Sequence, residues 1–310
     1  NNDRPGILLS SAIKKYADLF GVACGEKNIL FTNNDSVYET AISLIQKGIK
    51  VQAIIDNREE IDSKLIKETE KNNIKIYKGY TIVDTFGYKR INSVSIMKLS
   101  KDGQKVIGSK ENISCDSLGI SGGWTPAVHL FTQSGGKLKF RDDDQVFIPN
   151  TYPSNQISIG SCNGDFTLDE ILINTPKLLK EFLNIKKTEY ENIEIYSAFN
   201  KSKRNIWLLP SNKIVGKTKS FVDFQNDATA KDIKLALREG FRSIEHVKRY
   251  TTTGMGTDQG KLGNMHALGI ISETASSKMG ELGTTTFRPP YTPLTFGTIV
   301  GRNVGKYFDI

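Results

Sequence analysis

Asn28-Ile29-Leu30-Phe31-Thr32-Asn33, then Asn34-Asp35-Ser36, then Val37 to Lys47, Gly48 and Lys50-Val51-Gln52-Ala53-Ile54-Ile55-Asp56 form the stretch that decides the fold. Residues 28–33 are a short apolar run closed by turn residues, which predicts a buried strand. Asn33-Asn34-Asp35-Ser36 supplies a turn with a helix N-cap at its end. Val37, Ala41, Leu44 and Ile45 share one face of a helix over 37–47, and Gly48 stops it. Residues 50–55 make a second strand that ends in Asp56. Strand, amphipathic helix and strand at this spacing predict a parallel sheet in a doubly wound α/β domain. Asp56 lies where an acidic residue would meet a ribose, about 20 positions after the first turn. It is equally placed to cap a strand end. The Gly-x-Gly-x-x-Gly fingerprint is absent, and residues 33–36 contain no glycine to admit a pyrophosphate.

Upstream, Ile7, Leu8, Ala12, Ile13, Tyr16 and Phe20 have helical spacing over 6–20. Downstream, 60–73 reads as a charged helix. The segments 74–77, 81–86, 91–99 and 105–109 alternate, and Asp102-Gly103 is a hairpin signal between the last two. A small antiparallel excursion is therefore expected before the chain returns at Ser117-Leu118-Gly119-Ile120-Ser121. That strand runs into Gly122-Gly123-Trp124-Thr125-Pro126. Such a turn exposes backbone amides at a sheet's carboxyl edge, where open α/β folds bind ligands. Gly119, Ser121, Gly122, Gly123, Trp124, Thr125 and Pro126 are candidate cofactor contacts on this ground; a tight turn with nothing bound is the alternative.

Residues 156–160 read as a strand entering a small-residue turn, with a helix over 168–182. Gly160 and Gly164 are candidates for phosphate or flavin contact there. Cys162 reads as a small buried side chain, since no histidine lies near it in sequence. Residues 184–220 form a polar connector. A small helical module follows, with helices over about 230–239, 243–250 and 264–279 and Thr229 as an N-cap. Between them, 245–261 packs cations, threonines and glycines without periodicity, as expected of backbone that approaches an anion.

The 310 residues carry a net charge of +8, from 42 basic and 34 acidic side chains. The lysines sit mostly in mixed runs such as 64–71, and no aromatic-basic platform accompanies them, so no nucleic-acid partner is expected. No apolar run reaches the ~18 residues of a membrane span. Three scattered cysteines, Cys24, Cys115 and Cys162, fit a reducing cytoplasmic setting rather than a disulfide framework. The chain opens on turn residues rather than methionine and stops without a polar tail; a piece of a longer polypeptide is expected.

Several motifs carry a resemblance. Residues 221–227 (Phe-Val-Asp-Phe-Gln-Asn-Asp), 243–252 (Ser-Ile-Glu-His-Val-Lys-Arg-Tyr-Thr-Thr), 254–261 (Gly-Met-Gly-Thr-Asp-Gln-Gly-Lys) and 283–293 (Gly-Thr-Thr-Thr-Phe-Arg-Pro-Pro-Tyr-Thr-Pro) resemble the alpha subunit of heterotetrameric sarcosine oxidases. So do Asn2 to Gly6, Ser121 to Pro126 and Val128 to Leu130. The resemblance implies a disulfide-reductase-like nucleotide domain over 1–183, incomplete at its start. A connector over 184–220 and a helical module over 221–282 come next. Residues 283–310 would lead towards a folate domain outside this chain. It further implies NAD bound by this segment and an FMN shared with a beta subunit. FAD would sit in that beta subunit, and tetrahydrofolate would be served by the absent domain. Beta, gamma and delta subunits are the implied partners. The implied reaction is oxidative demethylation of sarcosine, with oxygen reduced to peroxide.

The helical module also resembles the iron-sulfur domain of related amino-acid dehydrogenases. The four cysteines of that pattern fall on Asp223, Gln225, Asp258 and Gly263, none of them a thiol. No iron-sulfur cluster or other metal is therefore expected. Lys248, Arg249, Thr251, Thr252, Gln259 and Lys261 remain as candidate flavin contacts. No catalytic residue is assigned. His246 reads as an interfacial hydrogen-bonding group, His129 and His266 as structural. Arg4 and Arg288 are each open between a phosphate contact and a structural or solvated role. The alternatives are a non-catalytic scaffold and the alpha chain of a related opine or amino-acid dehydrogenase.

Overall fold

A computed structural model of the chain describes residues 2–153, 155–185, 205–210, 218–289 and 291–307. The chain forms two compact units, each assembled from three segments. The first takes Asn1–Pro126, Phe140–Ile148 and Ile159–Phe221; the second takes Ala127–Lys139, Pro149–Ser158 and Val222–Ile310.

The first unit begins with β1 (Ile7–Leu9), α1 (Ser10–Phe20), β2 (Asn28–Thr32), α2 (Ser36–Gln46), β3 (Val51–Asp56), α3 (Lys64–Lys71) and β4 (Lys75–Lys78). An antiparallel trio follows, β5 (Tyr80–Phe86), β6 (Ser93–Leu99) and β7 (Val106–Ser114), and then β8 (Ser117–Ser121). The parallel sheet has the order β1-β8-β2-β3-β4, so the last strand in sequence is inserted between the first two. Leu30 pairs with both Gly119 and Ile54. Period-two alternation, interrupted by an irregularity between Val51 and Ala53 opposite Asn28 and Ile29, sorts the strands' side chains. Leu30, Val51 and Ile54 join Ile13 and Ala17 of α1, Val37, Tyr38, Ala41 and Leu44 of α2, and Ile66 of α3. Ile29, Phe31, Ala53, Ile55 and Leu118 instead meet Ile82, Val94 and Ile96 of the trio. Helices thus cover one face and the small antiparallel sheet the other. Each wholly buried Leu or Ile contributes about 1.5–3 kcal/mol.

Gly119 sits in mid-strand beneath α1. A Cβ there would lie 2.6 Å from Leu30 Cδ2 and 3.0 Å from Ile13 Cδ1, so its lack of a side chain is what lets α1 approach.

The sequence expectations need four corrections here. Residues 7–9 are a strand, not the first turn of a helix, because they pair with 118–120. Residues 156–160 form no strand; the chain enters a 3-10 turn at Gly160–Asn163, with Gly160 at φ +66°. Cys162, expected to be buried, is exposed on that turn. The third helix of the module stops at Ala275, where Ser276 takes a left-handed φ of +51°, and resumes at 279. Much of the connector over 184–220 lies outside the described residues. After α4 (His129–Gln133), a hairpin of β9 (Lys137–Arg141) and β10 (Val146–Thr151) appears that the sequence signals only weakly.

α5 (Leu168–Phe182) opens on a reciprocal cap. Thr167 accepts from the Glu170 amide, and Glu170 accepts from the Thr167 amide. The helical module begins with the short pair β11 (Phe221–Asp223) and β12 (Ala228–Thr229). It continues through α6 (Ala230–Arg238), α7 (Ile244–Thr251), α8 (Asn264–Ala275), α9 (Met279–Leu282) and α10 (Phe296–Val300). Thr229 and Asp232 cap α6 by the same reciprocal device. Ile233, Ala236, Leu237, Val247, Ala267, Leu268, Ile270 and Ile271 fill the module's core. Among the described residues no helix is long and apolar enough to cross a membrane.

Candidate functional site

In the first unit, the loop from β2 into α2 and the end of β8 meet at the carboxyl edge of the parallel sheet. Asn33, Asn34, Asp35 and Ser121 are buried there, whereas Gly122, Gly123, Trp124 and Thr125 are exposed and Pro126 is buried again. Asn34 Nδ2 donates to Asn33 Oδ1 at 2.8 Å and to Ser121 Oγ at 3.1 Å. Its Oδ1 accepts from Ser36 Oγ at 2.6 Å and from the Ser36 amide at 3.1 Å. Asn33 Nδ2 donates to the Gly122 carbonyl at 3.0 Å and to Asn205 Oδ1 at 2.9 Å. Gly123 has φ +112°, a conformation glycine adopts without strain. The sequence flagged the Gly-Gly turn but not the asparagines behind it.

Asp56 is wholly buried. Its Oδ1 accepts from the Arg58 amide at 2.9 Å and from Arg58 Nε at 3.0 Å. Its Oδ2 accepts from Tyr38 Oη at 2.9 Å and from Arg58 Nη2 at 2.7 Å. Arg58 Nη2 also lies 2.8 Å from Asp35 Oδ1. Of the two readings of Asp56, the structure supports the internal one: its oxygens face Arg58 and Tyr38. Burial and the neighbouring Asp56 push the Tyr38 hydroxyl well above its usual range, so it stays a donor. Arg4 is likewise turned inward, donating from Nε to Thr85 Oγ1 at 3.1 Å and from Nη1 to the Gly87 carbonyl.

Gly160 and Gly164 bound the 3-10 turn ahead of α5. A Cβ on Gly164 would meet Arg141 Nη2 at 2.9 Å, and that guanidinium donates to the Gly164 carbonyl at 3.1 Å while pairing with Asp144. This glycine thus serves the packing of an arginine against backbone.

In the helical module, α7 is capped by Thr252 at φ +60°, and turns carry the chain to α8. Asp223 organises this loop. Its Oδ2 accepts from the Gly254 amide at 2.7 Å, and its Oδ1 from the Gln225 amide at 2.8 Å and the Asn226 amide at 3.1 Å. Burial alone would raise its carboxyl pKa; these bonds outweigh burial and hold it below the ordinary carboxylate value. Gln225 Oε1 accepts from the Asp258 amide at 3.2 Å, and Asp258 Oδ1 accepts from the Gly260 amide at 3.0 Å. Gly263 lies so close to the Val222 carbonyl that a Cβ would sit 2.5 Å from the oxygen. The four positions aligned with cluster cysteines therefore carry side chain-to-backbone cross-links and one close approach. Among the described residues no group of three or more His, Cys, Asp or Glu is arranged to hold a metal ion.

The six candidate flavin contacts are gathered on this loop and α7, but several are turned inward. Lys248 is buried and donates to the Thr286 carbonyl at 3.0 Å; burial lowers its pKa, with Arg249 and Arg288 adding to the effect. Thr251 is buried and bonds to the Val247 carbonyl at 2.8 Å. Gln259 accepts from the Arg288 amide at 3.0 Å and donates to the Gly256 carbonyl. Lys261 lies 3.9 Å over the Tyr291 ring and donates to its carbonyl. Arg249 pairs with Glu245 at 3.0 Å and is exposed, as is Thr252. Arg288 and His246 are exposed as well. His129 is buried, with its ring centroid 3.9 Å from that of Phe287 and 5.7 Å from that of Tyr291. Burial, aided by Lys261, lowers its pKa from 6.5 to about 4. His266 has its Nδ1 3.3 Å from the Leu262 carbonyl.

Residues 217–302 match the family model of the sarcosine oxidase A3 domain. The sarcosine oxidase alpha subunit of Rhizobium meliloti (strain 1021) is 33% identical over 313 residues, 99% of this chain and 30% of its own length. Its counterpart in Corynebacterium sp. (strain P-1) is 32% identical over 319 residues, 100% of this chain and 32% of its own length. Along its whole length this chain is similar to the sarcosine oxidase alpha subunits. It spans about a third of their length. An opine oxidase subunit of Rhizobium meliloti (strain 1021) matches 24% of the chain, at 33% identity over 73 residues. The L-proline dehydrogenase of P. horikoshii has the same fold, with a TM-score of 0.58 at 18% identity over 97% of this chain and 55% of that one.

Proposed function

We propose that this chain is a segment of the alpha subunit of a sarcosine oxidase, a flavin-dependent amine oxidoreductase that works in the cytoplasm with beta, gamma and delta subunits. The observation that carries the reading is the similarity to sarcosine oxidase alpha subunits along the whole chain, coupled to the A3 match at 217–302. In the complete enzyme, sarcosine would be demethylated oxidatively, oxygen reduced to peroxide and the one-carbon unit handed to tetrahydrofolate by another domain. The opine oxidase reading is weaker because that match covers so little of the chain.

Within this segment, the exposed residues Gly122–Thr125 offer backbone that suits an NAD phosphate, and the exposed Trp124 offers a ring against which a base can stack. The internal use of Asp56 fits a site whose ribose contacts come from elsewhere. FMN shared with a beta subunit would supply the two-electron chemistry. The inward-turned ammonium of Lys248 and hydroxyl of Thr251 do not fit a flavin contact; Arg249 and Thr252, which are exposed, do. A guanidinium near a reduced flavin favours its anionic form. This chain's residues would bind and orient rather than transfer protons.

The test is co-expression of the full-length protein with its beta, gamma and delta subunits. Sarcosine-dependent oxygen uptake and co-purified FMN are expected, together with NAD retained by the alpha chain. Absence of sarcosine turnover alongside good turnover of an opine would refute the assignment.

A further inference from the structure

The polar cluster at the sheet's carboxyl edge is more elaborate than a turn requires. A strand-to-helix turn needs one cap, and buried amides are costly unless every group is matched. Here Asn33, Asn34 and Ser36 converge on the residues that end β8. Asn34 Nδ2 and Ser36 Oγ each lie 3.1 Å from Ser121 Oγ, and Asn33 Nδ2 donates to the Gly122 carbonyl at 3.0 Å. Immediately beyond these bonds the chain becomes exposed, over Gly122–Thr125.

The turn holding the asparagines is itself closed as an anion site. The carboxylates of Asp35 and Asp56 are buried at its base, and Arg58 is shared between them. No glycine in 33–36 opens the backbone to a diphosphate. A turn that repels anions but grips its neighbour has a different use. We infer that Asn33, Asn34 and Ser36 are positioning residues that hold Gly122–Thr125 in a nucleotide-receiving conformation. This rests on the reading of that segment as an NAD contact. Fixing the segment beforehand removes the ordering cost from the binding step.

The test uses the full-length protein in a Trp207→Phe background, with other tryptophans outside the segment silenced, so that Trp124 reports alone. Asn33→Asp keeps the shape but replaces the donor facing Gly122 by an acceptor; Ser36→Ala is a milder second variant that removes the hydroxyl beside Ser121. NAD binding is measured by calorimetry and Trp124 mobility by fluorescence anisotropy decay. Both variants are expected to mobilise Trp124 and to weaken NAD binding, Asn33→Asp by about tenfold. If Asn33→Asp does not fold, Ser36→Ala decides. Folded variants with wild-type NAD affinity and an immobile Trp124 would overturn the inference. Loss of NAD binding already in the parent, with Trp124 still mobilised by the variants, would refute the nucleotide reading and leave the positioning role standing.

Discussion

Protonation of His129 should release the segment that packs on it. The imidazole is only 6% exposed and lies against Phe287 and Tyr291, with Lys261 nearby. The folded pKa of about 4 is below the unfolded value of 6.5, so the unfolded form binds the extra proton. Stability from this group is complete above pH 6.5 and falls as pH drops towards 4. The full difference corresponds to about 3 kcal/mol, most of it lost between about pH 6.5 and 4.5. Hydrogen exchange of the 283–289 peptide, read by mass spectrometry at about pH 7 and pH 4.5, measures it locally. His129→Phe keeps an aromatic ring and removes the titration. Exchange rates corrected for intrinsic pH dependence should rise in the wild type by about a hundredfold at about pH 4.5 and stay flat in the variant. Equal pH dependence in the two proteins would refute the argument.

Other outcomes follow from the same geometry. Arg58→Leu leaves two buried carboxylates without their shared cation and should cost about 3–5 kcal/mol in urea unfolding; a loss under about 1 kcal/mol would mean the pair is wetter than it looks. Gly263→Ala drives a methyl into the Val222 carbonyl, and the melting temperature should drop more than for an alanine at Gly297, which lacks a left-handed φ and whose nearest neighbour would lie 4.0 Å away; equal drops would contradict the close approach. Thr229→Ala removes the cap of α6 at about 1 kcal/mol, to be read from thermal unfolding. Asp223→Ala should loosen 254–258 in hydrogen exchange at neutral pH. In the wild type the same loosening should set in as pH falls through the lowered carboxyl pKa; protection unchanged in both cases would dismiss Asp223 as the loop's organiser.

The parallel core was legible because β2, α2 and β3 carry their own signals: an apolar run, a helical stripe and a glycine stop. The hairpin of β9 and β10 was less plain, since Lys137-Leu-Lys-Phe-Arg alternates over five residues only and Pro149 interrupts the other strand. Residues 156–160 look extended by composition, but a strand needs a partner, and Gly160 turns the chain away. The Asn34–Ser121 contact spans 87 residues, so no local pattern announces it. Lys248 could have been read correctly. It follows Ile244 by four residues and precedes Thr251 by three, on the face of α7 that is buried. Its charge drew attention to chemistry, whereas its spacing placed it in the core.

The insertion of β8 between β1 and β2 governs how the protein can be made. On the ribosome, Ile7–Leu9 has no neighbour until Leu118–Ile120 has emerged, more than a hundred residues later. Neither unit is contiguous, so both remain unfinished until the nascent chain has passed residue 221. The exposed apolar side chains of an early β2 and β3 are therefore a window for chaperone capture during synthesis. Cleavage between residues 126 and 159 would sever elements of both units at once, so protease nicks there should inactivate rather than liberate a domain.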